Sequence, residues 1–184
     1  MPGLPVSHLM KQARILIVED ELIVAADIAI RLTQLGYQVV GTAVSGEEAL
    51  ALAASEGPDL VLMDIHLLGA MDGIEAAKVL RESLVLPVVF LTAYSGGATI
   101  QRAKEAEPMG YILKPFEDHE LEIVIEISLY KHHSEQVLKE KYAEIDRFNK
   151  VTEGRELRMI ELKREVNALL RASGQAEKYV IVDE

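Results

Sequence analysis

The sequence predicts a three-layer α/β/α domain built on a five-stranded parallel sheet, followed by an α-helical extension. Five short apolar runs recur within the first 130 residues, and each is followed by a stretch with helical apolar spacing. Hairpin signals between the runs are scarce, which favours parallel strands joined by covering helices. Beyond Tyr130 these units cease, and acidic and basic residues alternate along a helical pattern.

Residues 1–12 contain two prolines and a glycine and read as a flexible start or a cloning remnant. The first strand is residues 14–18. Glu19, Asp20 and Glu21 follow it, and then a helix whose apolar residues include Leu22, Ile23, Ala26, Ile30 and Leu35, stopped by Gly36. Residues 37–43 form the second strand. Ser45 is placed to cap a helix over 45–55, with Glu48 as its capping-box partner. Gly57-Pro58 turns the chain into the third strand, 60–63, and a helix over 74–84 follows. Pro87 introduces the fourth strand, 88–91, ahead of a helix over 98–106. The last strand is 109–113, and the closing helix of this part spans 117–130.

Composition narrows the function. No cysteine is present, so disulfides, thiolate metal sites and cysteine nucleophiles are excluded. No apolar run approaches the roughly 18–20 residues that cross a bilayer, so no membrane insertion and a cytoplasmic location are expected. The whole formal net charge of −11 resides in residues 1–130, while residues 131–184 balance to zero. An acidic surface is ill suited to phosphate backbones, so no nucleic-acid partner is expected.

An open parallel sheet places its ligand site beyond the carboxyl ends of its strands. Glu19 and Asp20 follow the first strand, Asp64 the third, Thr92 the fourth and Lys114 the fifth, so these five residues are expected to converge at one rim. A carboxylate cluster is repulsive unless a cation or proton compensates it, and hard oxygen donors suit Mg2+. Asp64 ends an apolar strand and is the preferred nucleophile, because a carboxylate can accept a phosphoryl group as an aspartyl-phosphate. Lys114 can neutralise the phosphoryl oxygens, and Thr92 can donate a hydroxyl hydrogen bond. Asp72-Gly73 reads as a turn and helix start, with Gly73 supplying unusual backbone dihedrals. Tyr94, after the fourth strand, is a candidate for a recognition face or for local packing.

The segments Ile15-Leu16-Ile17-Val18-Glu19-Asp20-Glu21, Val61-Leu62-Met63-Asp64-Ile65, Met71-Asp72-Gly73-Ile74-Glu75-Ala76, Phe90-Leu91-Thr92-Ala93-Tyr94 and Tyr111-Ile112-Leu113-Lys114-Pro115-Phe116 occur in this order. Together they resemble the response-regulator receiver family of two-component signalling, whose fold is the flavodoxin-like α/β/α sandwich, over residues 13–130. The resemblance implies that Asp64 takes its phosphoryl group from a histidine kinase or histidine phosphotransfer protein. It implies a magnesium site of Glu19, Asp20, Asp64 and the backbone carbonyl of His66, with Lys114 on the phosphate and Thr92 and Tyr111 as a switch pair. It also implies a cis Lys114-Pro115 bond, slow autodephosphorylation rather than dedicated enzymatic turnover, and a downstream signalling protein as the recipient.

In residues 131–174, Val137, Leu138, Tyr142, Ile145 and Phe148 recur at helical spacing. An interruption at Val151-Thr152-Glu153-Gly154 precedes a second pattern of Leu157, Ile160, Leu162, Val166, Leu169 and Leu170, ending at Gly174. Two helices are expected, as a coiled coil or a helical hairpin. Residues 147–166 are similar to connector segments of multidomain sensory kinases. Homodimer formation and intramolecular packing both bury this stripe. The tail, 175–184, includes Tyr179-Val180-Ile181-Val182 as a small strand or docking segment. Two other functions fit the residues: a phosphatase-like α/β enzyme with an Asp64 nucleophile, and a phosphorylation-independent adaptor.

Overall fold

The computed structural model describes residues 12–93, 97–176 and 178–180. The chain divides into two compact units, Met1–Ser134 and Glu135–Glu184. The first contains the strands β1 (Arg14–Val18), β2 (Gln38–Ala43), β3 (Leu60–Asp64), β4 (Val88–Ala93) and β5 (Gly110–Lys114). They form one sheet in the order β2-β1-β3-β4-β5, with every neighbouring pair parallel. The helices between them are α1 (Leu22–Leu35), α2 (Gly46–Glu56), α3 (Gly73–Leu84) and α4 (Gly97–Glu105); α5 (Asp118–Ala172) follows β5.

Alternation along each strand builds two cores, because successive side chains point to opposite faces. Leu16, Val18, Val61, Met63, Val88 and Phe90 pack with Ile74 and Leu80 of α3 and Ala103 of α4. Ile15, Ile17, Leu60, Leu62, Val89 and Leu91 pack on the other face with Ile28 and Leu32 of α1 and Leu121, Ile125 and Leu129 of α5. The central strands are buried on both faces, which is why they read as continuous apolar runs. Each fully buried Leu, Ile or Phe contributes about 1.5–3 kcal/mol through removal of its side chain from water.

Local signals explain most of the boundaries. Gly36 adopts φ 93°, and Tyr37 N donates to Leu32 O at 2.9 Å, so Tyr37 closes α1 and the strand starts one residue later than expected. Ser45 caps α2 by accepting from Glu48 N, but the Glu48 carboxylate reaches back to Val44 N at 2.9 Å rather than to Ser45. Asp72 and Glu75 form a complete capping box at the start of α3.

The extension departs from expectation. A single helix, α5, runs from Asp118 to Ala172 through the predicted stop at Tyr130 and the predicted break at Gly154. One interior glycine costs only about 1 kcal/mol relative to alanine, and its neighbours are mostly strong helix formers. Moreover, no proline follows Pro115. In the second unit, the helix ends at Gly174, which has φ 71°, and Gln175 N returns to Leu170 O at 2.9 Å. Buried Asn167 then holds the tail: its Nδ2 donates to Tyr179 O at 2.7 Å, and its Oδ1 accepts from Lys178 N and Tyr179 N at 3.0 and 3.1 Å. Tyr179 and Val180 form no strand, because the asparagine amide takes the place of a neighbouring strand. Tyr94 and residues 181–184 lie outside the described residues.

Candidate functional site

Sheet register brings the strand ends together. Val18 is level with Ala43 and Met63, Asp64 with Leu91, and Ala93 with Lys114. The next residue after β1 is Glu19, tied by its N–H to Ala43 O at 2.9 Å. Lys114 Nζ donates to Glu19 Oε2 at 2.6 Å and to Asp64 Oδ2 at 2.5 Å. Asp64 Oδ1 accepts from His66 N at 2.9 Å, while the His66 side chain is exposed. Asp20, the next residue along the chain from Glu19, is half-buried. The Lys114-Pro115 bond is cis.

Glu19, Asp64 and Lys114 thus meet, and their burial sets the electrostatics. Glu19 is only 1% exposed, and burial pushes its pKa above the ordinary carboxylate range, a rise that the hydrogen bond from Lys114 partly offsets. Burial also works against the charge on Lys114, but its hydrogen bonds to Asp64 and Glu19 outweigh that and raise its pKa. The ammonium therefore does what a bound cation would do, bridging two carboxylates in a region of low dielectric.

Glu19 Oε1 is buried without a hydrogen-bond partner, a costly state that a cation or a proton relieves. Among the described residues no group of three or more His, Cys, Asp and Glu is gathered to hold a metal. Magnesium does not require such a cage: one or two carboxylates, with waters and phosphate oxygens, are its usual partners. The donor set at this rim fits that chemistry, with Glu19 Oε1 as the oxygen lacking a partner.

Tyr111 lies in the expected fifth strand, whereas Thr92, expected just after the fourth, lies inside β4, which runs two residues further than expected; neither is drawn into the cluster. Thr92 Oγ1 donates to Ala93 O at 3.1 Å. Tyr111 is 38% exposed, its ring centroid 5.9 Å from that of Phe90, and partial burial raises its pKa.

The sequence reading assigned Gly73 to unusual dihedrals, and the structure corrects this. Gly73 is absent from the glycines with positive φ; instead, a Cβ there would stand 1.9 Å from the Asp64 carbonyl oxygen. Close approach of two backbones explains the glycine. The reading also missed Arg102, whose Nη2 donates to Asp72 Oδ2 at 2.7 Å. Burial would raise the Asp72 pKa, but the Glu75 amide and Arg102 together lower it. No local signal in α4 marks that arginine, because its partner lies 30 positions earlier.

A parallel 2-1-3-4-5 sheet with an acid–lysine cluster at its carboxyl rim defines a CheY-like receiver with an added C-terminal helical region. The response regulator receiver domain model matches residues 15–126, and the chain belongs to that family. Transcriptional regulatory protein PdtaR of Mycobacterium tuberculosis is 40% identical over 116 residues, 63% of this chain and 56% of that protein. Phyllosphere-induced regulator PhyR of Methylorubrum extorquens is 35% identical over 117 residues, 63% of this chain and 43% of that protein. The chain spans about half the length of these curated relatives. Among solved structures, the signal receiver domain of a modulated diguanylate cyclase from Desulfovibrio desulfuricans G20 is 41% identical with a TM-score of 0.65, covering 67% of this chain and 98% of that one. The family serves phosphorylation-based signalling and generally uses Mg2+ for phosphotransfer. No helix among the described residues is long and apolar enough to cross a membrane.

Proposed function

We propose that this chain is a cytoplasmic receiver protein of a two-component phosphorelay that accepts a phosphoryl group on Asp64 and signals through protein contacts. The donor is a phosphohistidine on a histidine kinase or phosphotransfer protein. An Asp64 carboxylate oxygen bonds to phosphorus as the phosphorus–nitrogen bond to the donor imidazole breaks, and the aspartyl-phosphate later hydrolyses slowly. The observation that carries this reading is the Lys114 ammonium standing between the Glu19 and Asp64 carboxylates at the strand ends. Lys114 is already placed to neutralise oxygens on Asp64. Thr92 turns toward the phosphoryl group, and Tyr111 follows by leaving solvent, which shifts the population of the face formed by α4, β5 and α5.

Glu19, Asp20, Asp64 and the backbone carbonyl of His66 are the residues that would hold Mg2+. When bound, the ion offsets repulsion between Asp64 and the incoming phosphate. Residues 13–130 carry the chemistry, and 131–174 carry coupling or self-association as a homodimer. Exposed Leu138, Tyr142, Ile145, Phe148, Met159 and Leu169 along α5 support the second role. The test is intact mass after incubation with magnesium and a small phosphodonor, alongside Asp64→Asn. One added phosphoryl group on the wild type and none on the variant is expected; no added mass under several donors and metals would sink the reading. Catalytic turnover of a small phosphoester, lost in the variant, would favour a phosphatase instead.

A further inference from the structure

The loop after Asp64 is tied to α4 by a contact that the acceptor chemistry leaves unexplained. Asp72 uses one carboxylate oxygen as a cap: Oδ1 accepts from Ile74 N at 3.0 Å and Glu75 N at 2.9 Å. Its other oxygen, Oδ2, takes Arg102 Nη2 at 2.7 Å. The next residue, Gly73, is packed so closely on the Asp64 carbonyl that no side chain fits, and its N–H donates to Ile65 O at 3.2 Å. Asp72 is therefore mechanically continuous with the acceptor backbone. Arg102 stands on the helix that follows β4, the strand of Thr92. Lys78 pairs with Glu105 at 3.1 Å, and Arg81 pairs with Glu107. These link later turns of α3 to the end of α4 and the turn after it, so Arg102–Asp72 is the rung at the Asp64 end.

We propose that Arg102 is a positioning residue, which holds α4 against the loop following Asp64 and thereby sets the resting population of the switch. The inference rests on the reading of Asp64 as phosphoacceptor. The pair is formed in the state where the Thr92 hydroxyl is bonded within its own strand and Tyr111 is 38% exposed, and under this proposal it loosens as Thr92 turns inward. An interaction made in only one of two states biases their ratio by its own free energy. Both partners are substantially exposed, which makes the bias modest and sensitive to salt.

The test compares rates of Asp64 labelling by a small phosphodonor in the wild type, Arg102→Gln, Asp72→Asn and the double variant. Asparagine caps a helix about as well as aspartate, so Asp72→Asn removes the ion pair and keeps the cap. Each single variant is expected to label about two- to five-fold faster, as the loss of an exposed ion pair allows. The double variant should be no faster than either single one, Arg102→Lys should restore most of the slow rate, and the ratio of Arg102→Gln to wild type should fall toward one at high salt. Unchanged rates, or additive effects in the double variant, overturn the proposal. A wild type that takes no phosphate refutes the Asp64 reading instead, and hydrogen exchange of the α4 amides in the unmodified proteins then decides. Faster exchange in Arg102→Gln and Asp72→Asn that is larger in α4 than in the sheet strands supports the clamp, and unchanged exchange, or an equal rise throughout the domain, removes it.

Discussion

At Gly73 the backbone of the acceptor strand leaves no room for a single methyl group. The Cβ of Gly73→Ala would lie 1.9 Å from the Asp64 carbonyl oxygen, and both partners are backbone atoms that cannot swing aside. Overpacking of this kind costs about 1–3 kcal/mol or more. We expect Gly73→Ala to lower the unfolding free energy measured in urea by at least that amount and to shift the midpoint down accordingly, whereas Gly41→Ala, whose Cβ would meet only Leu52 and Leu16 side chains, the nearest atoms at 3.4–3.5 Å, should change both far less. Equal midpoints for the two variants would contradict the close-approach account.

Asp72 yields a prediction with a definite sign. Its folded-state pKa is depressed, because hydrogen bonds from Glu75 N and Arg102 outweigh burial. A depressed carboxylate contributes stability above its unfolded pKa of about 3.9, and loses it as pH falls through the folded value. The stability gap between wild type and Asp72→Asn should therefore be complete near neutral pH and close in strong acid. A gap independent of pH would show that the charge of Asp72 contributes nothing.

Residues of this site differ in how legible they are in the sequence. Glu19, Asp64 and Lys114 could be picked out because strand-end position converts sequence order into proximity. Arg102 could not, since an arginine on a helix surface looks like solvated charge until a distant carboxylate is brought to it. Gly73 was recognised as necessary for a wrong reason: a glycine before a helix suggests a dihedral, and only the packed fold reveals the facing carbonyl.

Among the elements, α3 ends in strain. Val85 follows the last helical residue with φ 56°, a left-handed conformation that costs a non-glycine residue about 1–2 kcal/mol, and its side chain is exposed. Val85→Gly removes that cost but adds about 0.5–1 kcal/mol of unfolded-state freedom. The expected outcome is a gain of up to about 1 kcal/mol in urea denaturation with an unchanged slope, and a clear loss of stability would contradict it. The strands were legible almost to the residue, because burial on both faces leaves continuous apolar runs between turn signals. Helix ends were less so. Tyr37 looks like a strand residue but closes α1, and Gly154 looks like a break within what is one helix.

For the whole molecule, the sheet-bearing unit and the extension differ in what sequence can reveal. The first unit is specified by long-range pairing, and the order of its motifs carries that pairing implicitly. The extension is a helix whose stripe of exposed apolar residues tells of burial without naming what covers it. Membership in the receiver family gives the first unit its place in phosphorylation-based signalling, while the match covers only about half of each curated relative and leaves the output of this chain to be found.

The central claim is that one carboxylate among thirty acidic residues accepts phosphate. Borohydride reduces an acyl phosphate to an alcohol, so trapping the labelled protein and sequencing its peptides marks the acceptor directly. Homoserine at position 64, dependent on both phosphodonor and magnesium, is the predicted result. Reduction product at another carboxylate, or none on a protein that carries the added mass, would contradict the account.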